Sequence, residues 1–251
     1  TDKWRYPVII DNMMNLELLE WAAQYSDSTK FAKIASSHAK LTMKNHFRKD
    51  FSSYHVIGYD PETGQVEKRN THQGYAHESA WARGQAWGLY GYTMMFRETG
   101  DSSYLHHAKG IARFIMSHPN MPKDKVPYWD FNAPDIPHAK RDASAAAIMA
   151  SAFIELSTLT KKDPNFSKQC LNMAEMQLRS LTSVQYLAKK GRNGGFILMH
   201  SVGNLPKGTE VDVPLHSSLG DRARLHLKQT NKQKIQTAPA CCDARCRHWP
   251  E

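Results

Sequence analysis

Apolar residues recur at spacings of three and four through about 12–25, 28–47, 79–98, 102–117, 143–160 and 164–187, the period of a helix that buries one face. The six segments come in pairs. The members of each pair are joined by a short polar stretch, Ser26-Asp27-Ser28, Gly100-Asp101-Ser102 or Lys162-Asp163-Pro164, and each second member carries an early aromatic, Phe31, Tyr104 or Phe166. A Ser or Asp ahead of a periodic run accepts hydrogen bonds from backbone N–H groups that the first helical turn leaves unpaired. This weak repeat of αα-hairpins can bury its apolar faces by stacking into a toroid or solenoid. The expected fold class is therefore all-α.

Three stretches interrupt the helices. From Ser52 to Asn70, the residues Tyr54, Val56, Ile57 and Tyr59 precede the turn Asp60-Pro61-Glu62-Thr63-Gly64 and then Val66, which predicts a small inserted β-hairpin. The segment 118–141, with Tyr128-Trp129-Asp130-Phe131, reads as a long connection. Gly194-Gly195-Phe196-Ile197-Leu198-Met199-His200 reads as a short strand within a third. Loops at one end of a helical scaffold are where sites are commonly built.

A chain of 251 residues, 41% of them hydrophobic, has room for one sizeable core. No apolar run approaches the roughly 18 residues needed to cross a bilayer. The opening Thr1-Asp2-Lys3-Trp4 has neither an initiator Met nor the shape of a signal peptide, so a cytoplasmic and a periplasmic address are equally open. The net charge of +9 suits polyanions, nucleic acid or acidic sugars. From Leu215 onward, however, seven basic residues face three acidic ones, and the other basic residues are scattered along helix faces, a distribution that argues against a nucleic-acid groove. Cys170 stands alone in a helical pattern as a small core residue. Cys241, Cys242, Cys246 and His248 crowd the end, but their spacing is not that of a common zinc module, and no metal site is expected.

Asp11 is the candidate general acid. It stands among Val8, Ile9, Ile10, Met13 and Met14 at the head of the first helical segment. A carboxyl among apolar side chains loses hydration, so its pKa rises toward the range useful for proton donation. The alternative is an N-cap, whose backbone donors would lower the pKa instead. Arg83, Trp87 and Tyr90 follow at four and three spacing, which also describes an ordinary helix face. Trp21 and Trp81 read as core, and His55 without further context reads as a surface histidine. His72 fits either a substrate contact or a loop cap. Phosphate-binding loops, nucleophile elbows and His-Glu-x-x-His motifs are absent from the sequence.

Six blocks resemble the unsaturated glucuronyl hydrolases, glycoside hydrolase family 88, in the family's order. They are Ile-Ile-Asp-Asn-Met-Met-Asn-Leu at 9–16, Ser-Ser-Tyr-His at 52–55, Thr-His-Gln-Gly at 71–74, Trp-Ala-Arg-Gly-Gln-Ala-Trp-Gly at 81–88, Tyr-Trp-Asp-Phe at 128–131 and Arg-Asp-Ala-Ser-Ala-Ala-Ala-Ile at 141–148. The resemblance covers about residues 4–215. It implies an (α/α)6 barrel with the site in its mouth, of which residues 1–215 supply about half. The family's opening hairpins, with a second site Asp, would precede Thr1. Residues 216–251 do not resemble the family and are expected to be a disordered or out-of-frame basic tail.

The resemblance implies hydrolysis of the terminal unsaturated glucuronyl residue of lyase-generated glycosaminoglycan oligosaccharides, with no metal or organic cofactor. It matches Asp11 to the catalytic Asp. It matches His55 and Gln73 to polar positions that hold ring hydroxyls and water, and it places Arg83 and Trp87 in a block where a guanidinium can pair with a uronate and an indole can pack on a sugar. Two alternatives stand beside it. One is unsaturated rhamnogalacturonyl hydrolysis, which the Asp-Asn-Met-Met-Asn-Leu block disfavours. The other is an inactive remnant that binds acidic sugar or a partner chain. Oligomeric state is not legible.

Overall fold

The computed structural model describes residues 4–26, 28–209 and 211–213. The chain divides into two units, Thr1–Leu215 and His216–Glu251. All described residues belong to the first, so the expected tail and its Cys241, Cys242, Cys246 and His248 lie outside them.

The helices form three hairpins: α1 (Leu16–Tyr25) with α2 (Thr29–His46), α3 (Ala82–Thr99) with α4 (Ser102–Ser117), and α5 (Ala143–Leu159) with α6 (Pro164–Leu181). Local capping chemistry starts the second helix of each pair. The Ser28 hydroxyl accepts the Lys30 N–H, the Asp101 carboxylate accepts Ser103 N–H at 2.9 Å, and Asp163 accepts Phe166 N–H at 3.3 Å. Gly100, at φ 69°, ends α3 in the left-handed region and donates its N–H to Phe96 O, a turn that favours glycine. These hairpins are the expected helical architecture, part of an (α/α)6 barrel.

The structure departs from expectation in four places. First, the inserted hairpin is the inner and outer part of a three-stranded antiparallel sheet, because Tyr6–Ile9 (β1) pairs with Val56–Tyr59 (β2), which pairs with Val66–Asn70 (β3). The run Tyr-Pro-Val-Ile-Ile is rich in β-branched residues, but its partner lies some fifty residues onward. Second, α1 starts only at Leu16, since Ile10–Asn15 is a 3-10 helix that leads out of β1. Third, α6 stops at Leu181 rather than 187. There the Thr182 hydroxyl donates back to Leu178 O at 2.8 Å, a side-chain bond that competes with helix propagation. Fourth, the expected strand at 194–200 is instead a 3-10 turn, Asn193–Gly195, followed by a single bridge from Leu198 to Leu187.

α3 lies at the centre, against α1, the 3-10 helix, α4 and α5. Leu89, Tyr92, Met94 and Met95 on α3 are buried together with Ile10, Met13, Ile111, Met149 and Phe153, consistent with a helix enclosed nearly all round. Small residues on α3 let the 3-10 helix press onto it. A Cβ on Gly91 would lie 2.5 Å from Met13 Cβ and 3.2 Å from Met13 O, and one on Gly84 would lie 3.1 Å from Ile10 Cγ2. Because the first of these contacts involves backbone as well as side chain, Gly91→Ala is expected to push the 3-10 helix outward and destabilise the fold by about 1–3 kcal/mol. Thermal or denaturant unfolding measures this.

Two histidines are buried in this core. Desolvation lowers the pKa of His46 to about 3 and that of His107 to about 4 from an ordinary 6.5. Both are neutral when folded, so the unfolded chain binds more protons as pH falls below 6.5, and stability is lost on the way down to pH 4. His46 Nε2 lies 3.2 Å from Val8 O, a contact that an amide can reproduce. His46→Gln is expected to reduce the loss between pH 6.5 and 4 by on the order of 2–3 kcal/mol, seen as a flatter profile of melting temperature against pH.

Candidate active site

Strand pairing brings the proposed acid to its histidine. β1 and β2 run antiparallel with Ile9 opposite Val56, and Ile10 N–H donates to His55 O at 3.0 Å where the two strands part. The next residue is Asp11, in the first turn of the 3-10 helix. Its Oδ2 lies 3.7 Å from His55 Nε2. Asp11 is 6% exposed and His55 4%. Ile9 occupies the cap position and makes no side-chain cap bond, so the N-cap alternative for Asp11 does not describe this fold. Its Oδ2 is a buried oxygen without a hydrogen-bond partner. Burial pushes the carboxyl up to about 6, against a smaller downward pull from the positive charge of Arg83.

His55 is held on its other side by the turn at 71–74. Its Nδ1 accepts backbone N–H groups from His72 at 3.2 Å and Gln73 at 3.1 Å, and lies 3.5 Å from Thr71 Oγ1. A ring nitrogen that accepts has no proton of its own, so in the neutral ring the proton is assigned to Nε2, facing Asp11. The ring stacks on Trp81 with centroids 4.3 Å apart. Trp81 is buried, as expected of a core residue, and it is also the platform on which the histidine lies.

Gln73 and Arg83 meet at a distant segment. The Gln73 side-chain amide donates to Gly203 O at 2.8 Å, and Arg83 donates to Val202 O at 2.6 Å and Gly203 O at 3.1 Å. Arg83 also pairs with the fully buried Asp142 at 3.0 Å and covers the Trp81 ring at 4.6 Å. Its Nε remains buried without a hydrogen-bond partner. The guanidinium expected to meet a uronate is thus held by a protein carboxylate and two carbonyls.

Trp87 lies apart from this cluster. One turn beyond Arg83 on α3, it lines a cleft of about 600 Å³ with Met14, Glu17, Leu18, Trp21 and Tyr90. It meets Tyr90 edge to face, with ring centroids 6.1 Å apart. A second hollow, about 980 Å³, lies between α2 and the sheet and also excludes Asp11. The sequence therefore placed four of its five site residues in one neighbourhood. It did not identify Asp142 as the partner of Arg83, although an Asp ahead of the Ala-rich run at 143–147 is a readable cap. Nor did it identify Asp130, fully buried, which accepts Tyr75 N–H, Ser79 Oγ–H and Asn132 N–H and so secures the start of the 75–81 segment. Among the described residues, no group of three His, Cys, Asp or Glu is placed to hold a metal, and no helix is long and apolar enough to cross a membrane.

The raised pKa of Asp11 has a consequence for stability. The folded chain holds this proton to about pH 6 and the unfolded chain only to about 3.8, so the penalty of the buried charge is fully present above pH 6 and vanishes below 3.8. Asp11→Asn is expected to stabilise the fold by up to about 3 kcal/mol at pH 7, with the gain shrinking as pH falls to 4. Unfolding of both proteins at pH 4 and pH 7 tests the sign.

No family model matches the chain. A curated unsaturated glucuronyl hydrolase from Formosa agariphila is 51% identical over 214 residues, which cover 85% of this chain and 52% of that protein. The crystal structure of an unsaturated glucuronyl hydrolase specific for heparin is 53% identical, with a TM-score of 0.81 over 84% of this chain and 56% of that one. A mutant unsaturated glucuronyl hydrolase from Streptococcus agalactiae, solved in complex with dGlcA-GalNAc6S, is 35% identical with a TM-score of 0.71, over 81% of this chain and 53% of that one. The chain thus spans about half the length of the relatives it matches. The sequence match covers 85% of this chain and the structural match 84%, and over that span the chain is similar to the unsaturated glucuronyl hydrolases.

Proposed function

We propose that residues 1–215 form the catalytic portion of a hydrolase that removes the terminal unsaturated glucuronyl residue from lyase-generated glycosaminoglycan oligosaccharides. The observation that carries this is Asp11, a buried carboxyl with an unpartnered oxygen, raised toward neutrality and set 3.7 Å from an oriented imidazole. Such a group holds a proton that it can deliver near neutral pH.

The substrate has a C4=C5 double bond that is also an enol ether through the ring oxygen. Asp11 donates its proton to C4, which leaves an oxocarbenium-like centre at C5. Water adds at C5 and gives its proton to the Asp11 carboxylate, restoring the acid. The resulting hemiketal opens and releases the remainder of the sugar as an alcohol. Atoms balance with one water and no cofactor. The step also requires no second carboxylate as a nucleophile at C1, unlike ordinary retaining glycoside hydrolysis.

The other residues take supporting roles. His55 Nε2–H orients the carboxylate and the incoming water, and Gln73 fixes the loop that backs the histidine. Arg83 supplies positive charge from behind Trp81, opposing the rise in the pKa of Asp11. Trp87 gives an apolar face for the sugar beyond the reacting ring. The heparin-specific relative and the relative solved in complex with dGlcA-GalNAc6S support a glycosaminoglycan substrate over a pectin fragment. A remnant that binds without turnover is the competing reading, motivated by the half-length match.

The test uses a chimera in which the rest of the barrel comes from the heparin-specific relative, alongside the 251-residue chain. The chimera is expected to consume the C4=C5 absorbance of an unsaturated disaccharide, with activity falling as pH rises through about 6 because the reactive form is the protonated acid. The chain alone is expected to be much less active. In the chimera, Asp11→Asn should lose at least a hundredfold in turnover while keeping its fold and substrate affinity. Near-normal consumption by a folded Asp11→Asn chimera would overturn the assignment. An inactive chimera that still binds the disaccharide would favour the remnant.

A further inference from the structure

We infer that Thr71 is a positioning residue that fixes the tautomer of His55. The inference rests on the proposed role of the Asp11–His55 pair.

Thr71 sits at the end of β3, where the chain turns back toward β2. Its Oγ1 accepts the Gly74 N–H at 2.7 Å, which closes the turn and aims the amides of the two residues inside it, His72 and Gln73, at His55 Nδ1. With that lone pair used by Gly74, the hydroxyl proton is free to be directed at the third partner, Nδ1 itself, at 3.5 Å. Three donors therefore converge on one ring nitrogen. Each would face an unfavourable N–H if the proton moved to Nδ1, so the Nδ1–H tautomer is selected against.

Space around the turn is closed as well. A Cβ at Gly74 would lie 2.6 Å from Thr71 Oγ1, 3.1 Å from Asp130 Oδ2 and 3.1 Å from Trp81 Cβ. The turn is thus wedged between the buried Asp130 carboxylate and the indole on which His55 stacks. Neither of these contacts touches Asp11, so the effect of Thr71 on chemistry passes through the imidazole.

The consequence concerns the Asp11 proton. With Nε2 carrying a proton, His55 cannot accept one from protonated Asp11, and the carboxyl keeps its proton for C4. In the other tautomer a basic nitrogen would face Asp11 and compete for that proton. Loosening the turn should therefore lower turnover with little change in substrate affinity.

The test reads the ring nitrogens directly, in the 251-residue chain labelled with ¹⁵N-histidine, with His55 assigned by the signal lost in His55→Gln. The wild-type His55 is expected to show a pyridine-like Nδ1 and a pyrrole-like Nε2. Thr71→Val should shift both signals toward tautomer-averaged values, and Thr71→Ser should restore them. In the active chimera, Thr71→Val should reduce kcat on the order of tenfold, the equivalent of about one net hydrogen bond, with KM nearly unchanged and recovery in Thr71→Ser. A pyrrole-like Nδ1 in the wild type overturns the inference even if Thr71→Val fails to fold. Unchanged ring signals in a folded Thr71→Val overturn it too. If no chimera turns over, the proposed function fails while the ring signals still decide the tautomer.

Discussion

The buried pair of Arg83 and Asp142 ties together the parts on which the site depends. One Asp142 oxygen accepts Arg83 at 3.0 Å, and the other accepts Ser144 N–H at 3.0 Å, the Ser144 hydroxyl and Ala145 N–H at 3.4 Å, capping α5. Arg83, on the first turn of α3, extends to the carbonyls of Val202 and Gly203. Two helix starts and a segment about 120 residues away therefore meet at one ion pair. Breaking such a pair from one side leaves a buried charge uncompensated, at about 3–5 kcal/mol. The same guanidinium lies over Trp81, whose indole also carries His55. Its positive charge restrains the pKa of Asp11. Stability and acid strength thus share one cation.

The chemistry of Asp11 runs against the stability of the fold. A carboxyl raised to about 6 is strained by its surroundings whenever it is ionised, which in the proposed mechanism is the state in which it takes a proton back from water. His46 and His107, buried and neutral, act in the opposite direction with pH. Lowering the pH relieves Asp11 while it penalises the two histidines, so between about pH 4 and 6.5 their contributions partly cancel. The two kinds of buried group differ in location. The histidines lie in the hydrophobic interior among Phe47, Tyr92 and α2, and Asp11 lies at the lip of the sheet where β1 ends.

The hairpins were legible because their signals are local. Asp101 and Asp163 lie within three residues of the N–H groups they accept, and the apolar period runs through the same residues. β1 was not legible, since four residues of mixed exposure show no alternation and the pairing of Ile9 with Val56 spans a whole helical hairpin. The site was partly legible for the same reason. Recurring blocks pointed to Asp11, His55, Gln73 and Arg83, and Asp11 showed its apolar neighbours directly. What a block cannot show is a partner remote in sequence. Gln73 and Arg83 read as substrate contacts, and only the fold reveals that both donate to the 202–203 segment and that Arg83 is already paired with Asp142.

The cleft at Trp87 depends on the faces around it. α1 turns Leu16 and Glu20 inward, whereas Leu18, Trp21 and Tyr25, at spacings of three and four, are 67%, 55% and 74% exposed. Trp21 and Tyr25 pack on each other with centroids 4.8 Å apart. In a toroid of hairpins, a stripe of this kind is what the neighbouring hairpin buries. Leu18 and Trp21 also line the cleft that holds Trp87 and Tyr90, so whatever covers the stripe also sets the shape of that cleft. Asp11 and His55, by contrast, are held by α3, the sheet and the 71–74 turn, all within residues 1–215. In the proposed mechanism the proton donor and its histidine therefore lie within this portion of the barrel, whereas the shape of the Trp87 cleft depends on what packs against α1.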